Sequence, residues 1–251
     1  MNKRKKIKIE YNNIVLKIIA LALTMVGTYA IAVLQNGLIK VDSYTMDTLL
    51  EAFNTDANVF GLSVTFMTCM AISAFALPVY AKLLLDGFQK TKDLKEYVIR
   101  VAVVALVSEM PYDYAMNRVC FDMSSQNPAM GMLIALIMLC IFRILEDTRG
   151  VKGVLLRIVI IISAVLWTVI LSVSYGAGFV IMVALMWLFK ENKKLAIISG
   201  IISSVIYFPA PLGFIFCKFY NGEKGDGNRV LFYFLYPLQY LAIGLLGILI
   251  Y

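Results

Sequence analysis

Histidine is absent from the 251-residue sequence, and charged residues make up only 16% of it. Without histidine, the chain cannot offer the neutral imidazole that most often takes up a proton near pH 7. Ordinary soluble domains are roughly 45–50% apolar and about 25% charged, whereas 61% of this sequence is hydrophobic. A water-soluble fold of this length could not bury so much apolar surface, so the composition predicts an integral membrane protein.

Cysteine is also scarce: four residues are present, and their spacing matches neither a metal site nor close disulfide pairing. Cys69 and Cys140 fall inside apolar runs, where cysteine behaves as a small hydrophobic residue. We therefore expect structural cysteines and no metal site. The net charge of +7 does not indicate nucleic acid, because cytoplasmic loops of membrane proteins are enriched in lysine and arginine. We expect no nucleic-acid partner.

Long apolar stretches predict an all-α, polytopic membrane bundle of eight or nine transmembrane helices, because backbone groups in lipid must bond within the chain. The stretches cover about residues 13–34, 60–85, 98–116, 128–145, 154–173, 177–189, 195–217 and 230–251. Pro209 and Pro211 could divide 195–217 into two short segments. With eight spans the loop 218–229 lies outside. With nine it lies inside, and the C-terminus moves out.

Charge distribution predicts the orientation in the cell membrane. Residues 1–12 form a basic tail, which we place in the cytoplasm, and residues 13–251 form a single transmembrane domain. The segment 35–59 has four acidic residues against one lysine and is predicted to be an outer loop. Within it, Ser43 could cap a short amphipathic helix that lies on the membrane surface.

Two carboxylates, Glu109 and Asp113, fall inside a predicted span. A continuous helix would place them on one face, and Pro111 between them could kink that helix. Buried carboxylates of this kind can share a proton or bind a cation or an amine. They can equally form a structural polar pair with neighbouring helices, and the sequence leaves both interpretations open.

Long cationic side chains occur at the predicted cytoplasmic ends of the spans. They are Lys17, Lys82, Arg100, Arg143, Arg157 and Lys190. Snorkelling to the interface explains their positions. Arg100 and Arg143 could instead bind the phosphates of a coenzyme A, since arginine often binds phosphate. These two are the candidate substrate- or cofactor-binding residues. The tyrosines near the C-terminal end, Tyr236 and Tyr240 among them, are interpreted mostly as an aromatic belt.

Short sequence blocks follow one another along nearly the whole chain after the basic tail. They are Leu16–Met25, Asp86–Phe88, Thr91–Leu94, Ser108 and Glu109 with Pro111 and Asp113, Gln126 and Asn127, Tyr175 and Gly176, Tyr220–Gly225, and Phe232–Leu238. In order and spacing they resemble the TraX family, conjugative-transfer proteins that acetylate the N-terminus of pilin. The resemblance implies a relative of the membrane-bound acyltransferases.

Departures from the family pattern bear on activity. Where the family has an Asp-His pair in the first span, this chain has Thr28 and Tyr29, and where it has a later histidine, this chain has Gln239. The resemblance thus implies a relict site in a pseudoenzyme that binds a peptide, a lipid or a membrane-protein partner, with no certain cofactor. Alternatively, Glu109 or Asp113 acts as the base of an active enzyme that transfers acetyl from acetyl-CoA to a peptide amine or another acceptor.

The predicted depths of Tyr29, Glu109 and Gln239 along their spans are similar, so we expect the three side chains to face one shared cavity. A transporter or channel is a third hypothesis, and it rests only on the buried carboxylates. The nearly continuous apolar spans, with few charges at depth, argue against it.

Overall fold

A computed structural model of the protein describes residues 10–225 and 229–251, and these residues form helices without a named strand. The α-helices are α1 (Asn13–Tyr29), α2 (Met46–Thr55), α3 (Ala57–Ser73), α4 (Ala76–Lys90), α5 (Leu94–Asn117), α6 (Pro128–Ile144), α7 (Gly150–Ile170), α8 (Gly176–Leu188), α9 (Lys193–Ser204), α10 (Phe214–Lys218) and α11 (Arg229–Ile250). The prediction of an all-helical chain is confirmed for the described residues.

Four helical stretches of the described chain are long and apolar enough to cross a membrane. They are Asn13–Ser43, Ala57–Lys90, Gly150–Ile170 and Val230–Ile250. Two shorter helices, α6 and α8, are also apolar. In α7 only Gly153, Ala164 and Thr168 are buried, and much of the remaining surface consists of exposed valine, leucine and isoleucine side chains. Such an exposed apolar surface is typical of a helix that faces lipid.

The first helix is longer than predicted, because α1 continues into a π-helix, Ala30–Ile39, instead of ending at Leu34. The backbones of this π-helix and α11 approach closely: a Cβ on Gly247 would overlap the carbonyl oxygen of Ala32. Lys40 ends the π-helix in a left-handed conformation, with φ 56°.

The segment 35–59 is mostly helical rather than a loop, since it contains the end of the π-helix, all of α2 and the start of α3. Thr45 caps α2 through a reciprocal capping box with Thr48. The predicted cap, Ser43, instead donates its hydroxyl proton to the Lys40 carbonyl oxygen at 2.7 Å. Ser43 thus belongs to the 3₁₀ turn before α2 and Thr45 is the N-cap, so the prediction for Ser43 is wrong.

Two predicted spans are each divided into two helices. The stretch 60–85 turns at Ala74 and Phe75, between α3 and α4. The stretch 195–217 forms α9 and α10, joined by two 3₁₀ turns, with Pro209 between the turns and Pro211 inside the second. Proline lacks the N–H that would continue a helix, which accounts for the second division.

Backbone and side-chain contacts bring the loop before α11 to the end of the bundle where α1 begins. The Tyr11 N–H donates to the Phe219 carbonyl oxygen at 3.0 Å, and the Tyr220 hydroxyl donates to the Asp86 carboxylate at 2.6 Å. The eight-span arrangement, which placed loop 218–229 at the other end, is therefore wrong for residues 218–225. The alternative with a divided 195–217 fits this geometry.

The loops after α6 and α8 lie at this same end. Lys190 pairs with Glu146 at 2.8 Å, and the Phe88 ring in α4 lies 5.1 Å from the Trp187 ring. We call this end of the bundle the basic end. It comprises the start of α1, the end of α4, residues 91–93, 145–149, 189–192 and 219–225, and the start of α11.

The opposite end carries few cations. The Ser174 N–H donates to the Gln126 carbonyl oxygen at 3.0 Å, which joins the loops before α6 and α8. Within residues 10–225, Lys40 and Arg118 are the only lysine and arginine at this end, and both lie over the Tyr251 ring, 4.5 and 3.9 Å from its centroid. The two ends of the bundle thus differ strongly in positive charge.

Candidate functional site

The larger of the two cavities described below, about 780 Å³, lies at the basic end between α1, α4, α5 and α11. Five cations line this basic-end cavity. They are Lys17, Lys90, Lys92, Arg100 and Lys224. Three carboxylates also line it: Asp86, Asp93 and Glu96. Cations therefore exceed carboxylates, and the cavity is suited to a ligand that carries phosphate or another anionic group.

Ion pairs engage part of this charge. Arg100 Nη1 lies 2.7 Å from Glu96 Oε2, and Lys90 Nζ lies 2.7 Å from Asp86 Oδ1. Lys90 also donates a hydrogen bond to the Gly222 carbonyl oxygen. These carboxylates therefore form ion pairs with cations of the same cavity, and the ion pairs orient the lysine and arginine side chains at its rim.

The segment 219–225 borders the basic-end cavity and is joined to it through Tyr220. This hydroxyl donates to Asp86 and also accepts a weak hydrogen bond from the Asn13 amide at 3.4 Å. Burial raises the pKa of Tyr220, and the hydrogen bond to Asp86 raises it further. The phenol therefore stays protonated at physiological pH and remains a donor to the carboxylate.

A second cavity of about 260 Å³, which we call the interior cavity, lies where α1, α3, α4, α5, α6, α8 and α11 meet. Tyr80, Met132 and Tyr236 line both cavities, so these side chains form the boundary between them. Thr28, one of the predicted relict residues, lines the interior cavity and is buried. A ligand in the basic-end cavity would therefore meet the interior cavity at these two tyrosines.

Glu109 is buried and faces the start of α6. Its carboxylate accepts hydrogen bonds from the backbone N–H of Asn127, at 3.3 Å, and from the side-chain amide of Asn127. The same amide donates to the Ala105 carbonyl oxygen at 2.8 Å, and Asn127 Oδ1 caps α6 at the Ala129 N–H. Glu109 lines neither cavity, which favours a structural contact between α5 and α6.

Asp113 is fully buried on the same side of α5, one turn further along. Its Oδ2 accepts a hydrogen bond from the Asp122 N–H at 2.8 Å, so it fixes the loop after α5 at the opposite end. Glu109 Oε1 and Asp113 Oδ1 have no partner among the described residues. Helix α5 runs through Pro111 without ending, and neither carboxylate lines a described cavity.

The two candidate arginines occupy different environments. Arg100 lines the basic-end cavity, whereas Arg143 does not, and its guanidinium lies 5.8 Å from the centroid of the Phe88 ring. The structure therefore does not bring the two together in one binding site. Arg100 remains a candidate ligand-binding residue, and Arg143 holds a position that packing on an aromatic ring and snorkelling explain.

The structure does not bring Tyr29, Glu109 and Gln239 together in either cavity. Tyr29 is 39% exposed on the outside of the bundle, because one residue step rotates a helix by about 100° and Thr28 already points inward. Gln239 is 5% exposed, and neither atom of its side-chain amide has a partner in the described chain.

Five tyrosines that line the interior cavity were not identified from the sequence as site residues. They are Tyr80, Tyr112, Tyr175, Tyr236 and Tyr240. Tyr236 and Tyr240 were interpreted as an aromatic belt, but they are only 7% and 2% exposed, so that interpretation is wrong for both. The sequence did contain a signal: two tyrosines four residues apart, with the polar Gln239 between them, indicate that one face of α11 is polar.

Comparisons with known proteins agree with the sequence resemblance. A family model described as TraX protein matches residues 12–247. Searches of curated proteins and of solved structures found no match. The matched region runs from the residue before α1 to the last turns of α11, which is nearly the whole of the described chain. The chain therefore belongs to the TraX family.

Proposed function

We propose that the chain is a multi-pass cell-membrane protein whose basic end and N-terminus lie in the cytoplasm. Cytoplasmic ends of membrane proteins are enriched in lysine and arginine, and the opposite end holds only Lys40 and Arg118 within residues 10–225. In this arrangement α9 and α10 enter the membrane and return to the basic end. Seven segments cross the membrane completely: α1, α3 together with α4, each of α5 to α8, and α11. Helices α9 and α10 are the two further segments, and neither crosses completely.

Cysteine labelling tests this orientation. In a variant whose four cysteines are alanine, an impermeant maleimide should label Ser43→Cys in intact cells, because residue 43 lies at the opposite end. It should label Lys224→Cys, at the basic end, only after permeabilisation. The reverse pattern would contradict the proposed orientation.

The chain is, in this proposal, a protein of the acyltransferase type that binds an acyl donor at the basic-end cavity and has lost ordinary catalysis. The observation that carries the proposal is the five-cation lining of that cavity, which meets the uncharged interior cavity at Tyr80 and Tyr236. Cations bind phosphate groups well, and an acyl-CoA carries both phosphates and a long uncharged arm. The residues present therefore fit acetyl-CoA or another acyl-CoA.

The loss of catalysis is inferred from the side chains available to accept a proton. Histidine is absent, and Glu109 and Asp113 line neither cavity. Three other carboxylates do line the basic-end cavity, but each has a partner: Asp86 and Glu96 pair with cations, and Asp93 caps α5 by accepting the Glu96 N–H at 3.0 Å. The protein would then act as a binding or assembly subunit for a peptide, a lipid or a membrane-protein partner.

An active acyltransferase with a carboxylate base is the second candidate. The favouring observation is that Glu109 Oε1 and Asp113 Oδ1 have no hydrogen-bond partner among the described residues. Such an oxygen could accept a proton from an acceptor amine or hydroxyl if the junction of α5 and α6 opened. This candidate requires a rearrangement, whereas donor binding at the basic end does not.

Substitution of the two arginines tests donor binding. Arg100→Gln should weaken binding of acetyl-CoA to the purified protein by at least about tenfold, since a charge-assisted hydrogen bond contributes roughly 1.5–3 kcal/mol. Arg143→Gln removes the same charge from the same end of the bundle but outside the cavity, and it should leave the affinity within about twofold. Isothermal titration of both variants measures this. If Arg100→Gln binds as tightly as the unmodified protein, Arg100 merely anchors its helix at the interface.

A further inference from the structure

The interior cavity is lined by tyrosine rings, hydroxyl groups and apolar side chains, among them three methionines and Phe179. Beside the five tyrosines, its polar lining residues are Thr24, Thr28, Ser73 and Ser174. No lysine, arginine, aspartate or glutamate among the described residues lines it. This composition differs from that of the basic-end cavity, so the two cavities suit different chemical groups.

On the side of the cavity formed by α1 and α4, the hydroxyl protons are already used in hydrogen bonds, and the hydroxyl oxygens can still accept one. The Thr24 hydroxyl donates to the Ala20 carbonyl oxygen at 2.9 Å, so the Tyr80 hydroxyl, 3.1 Å away, donates to Thr24. Thr28 likewise donates to the Thr24 carbonyl oxygen at 3.1 Å. Each hydroxyl oxygen has two lone pairs. Tyr80 and Thr28 therefore retain lone pairs that can accept a hydrogen bond from a ligand.

A donor is available at the boundary between the cavities. The Tyr240 hydroxyl donates to the Tyr236 hydroxyl at 3.3 Å, and the proton of Tyr236 has no acceptor in the described part of the chain. Tyr112 and Ser174 lie on the far wall, with their hydroxyl oxygens 2.6 Å apart. Tyr112 also bonds to the Ser125 side chain, so Ser174 is the member of this pair that keeps hydrogen-bonding capacity for a ligand.

Ring packing fixes the tyrosine faces. The rings of Tyr80 and Tyr236 meet edge to face with centroids 6.3 Å apart, and those of Tyr112 and Tyr240 at 5.3 Å. Edge-to-face pairs of this kind are stabilised beyond their area burial. The cavity therefore presents rigid aromatic surface interrupted by hydroxyl groups, a wall on which the C–H groups of a compact ring or polyol can pack.

Charge decides which ligands can enter. An anion would lose its hydration without meeting a cation. An ammonium group would lose several kcal/mol of hydration, while a cation–π contact with tyrosine returns only about 2 kcal/mol. A neutral hydroxyl compound faces a much smaller desolvation penalty, and the wall offers it both donors and acceptors. The lining thus favours an uncharged ligand.

We propose that the interior cavity binds an uncharged, hydroxyl-bearing ligand of the polyol or sugar class, with its hydroxyl groups on Thr28, Ser174 and Tyr236. The volume of about 260 Å³ equals that of about nine water molecules at roughly 30 Å³ each, which suits a glycerol- or monosaccharide-sized group. The proposal concerns binding alone, so it holds whether or not the basic-end cavity takes an acyl donor.

Photolabelling of the purified full-length protein in detergent tests this proposal. Two probes share one alkyl chain and one diazirine, and they differ in that one ends in a glycerol ether and the other in a primary amine. The glycerol probe should label peptides of α1 and α8 at least tenfold more than the amine probe does. Equal labelling of these peptides by both probes, or stronger labelling by the amine, overturns the proposal.

Variants separate the cavity from the lipid-facing surface. Thr28→Val and Ser174→Ala should each lower labelling by the glycerol probe about fivefold, since a hydrogen bond contributes about 1 kcal/mol. Thr65→Val is the matched control, because Thr65 is exposed on α3 and its hydroxyl bonds only to its own helix, at the Gly61 carbonyl oxygen. If all three variants label as strongly as the unmodified protein, the probe binds elsewhere and the proposal is wrong.

Discussion

Replacing Asn127 by leucine is expected to lower the free energy of unfolding by about 2–4 kcal/mol, because a buried acceptor left without its donor costs about 1–3 kcal/mol and the helix loses a cap as well. Asn127 is fully buried, and its amide donates to Glu109 and to the Ala105 carbonyl oxygen. Leucine would leave Glu109 with only a long backbone contact, and it would remove the cap at the Ala129 N–H, worth about 1 kcal/mol. Unfolding in mixed micelles, followed by tryptophan fluorescence, measures the loss.

Asn117→Leu provides the control for this prediction. Asn117 is exposed in the last turn of α5, and its amide donates to Asp122. Its replacement should cost less than about 1 kcal/mol, as for most surface substitutions. The double variant Glu109→Met/Asn127→Leu should recover part of the loss, because neither partner then remains unsatisfied. Equal losses in the Asn127 and Asn117 variants would show that Glu109 does not depend on Asn127.

Gly247→Ala is the second substitution with a large expected effect, a loss of about 1–3 kcal/mol from overpacking. An added Cβ would overlap the backbone carbonyl of Ala32 in the π-helix, and a backbone group cannot move aside as a flexible side chain can. The carbonyl oxygen of Gly247 also lies close to Gly37, where an added Cβ would be 3.3 Å away. The helices would have to separate, and thermal unfolding in detergent would report the lowered stability.

Gly61→Ala makes the same chemical change where space is open. No atom lies within 4 Å of a Cβ added at Gly61, which is exposed on α3. Alanine has the higher helix propensity, so this variant should be as stable as the unmodified protein or more stable by up to about 1 kcal/mol. A Gly247→Ala variant as stable as Gly61→Ala would contradict the close contact between α11 and the π-helix.

Much of the fold could be predicted from apolar runs, because lipid requires helices. The prolines at 209 and 211 indicated the division of the predicted span 195–217, and the structure contains it. The continuation of α1 through Ile39 was not predicted, since residues 35–39 contain polar side chains. One of them, the Asn36 amide, donates to the Met116 carbonyl oxygen at 2.7 Å, a contact between distant residues that no local pattern reveals.

The candidate site was only partly predictable, for a reason that concerns helix rotation. In a soluble helix the polar face marks the outside, but in a membrane both lipid and protein interior favour apolar residues, so hydropathy does not fix the inward face. Family resemblance drew attention to Thr28 and Tyr29 together, and only Thr28 faces the interior cavity. The buried positions of Tyr236 and Tyr240 were missed for the same reason.

Acetyl-CoA labelled separately on its acetyl group and on its nucleotide tests the central claim most directly. If the protein binds the donor without transferring its acetyl group, the purified protein should retain both labels in equal amounts. The ratio should stay constant during incubation with amine and hydroxyl acceptors, and Glu109→Gln should behave in the same way. The account is contradicted if the acetyl label moves to an acceptor while the nucleotide label is released. If Glu109→Gln then stops that transfer, Glu109 is the base of an active enzyme.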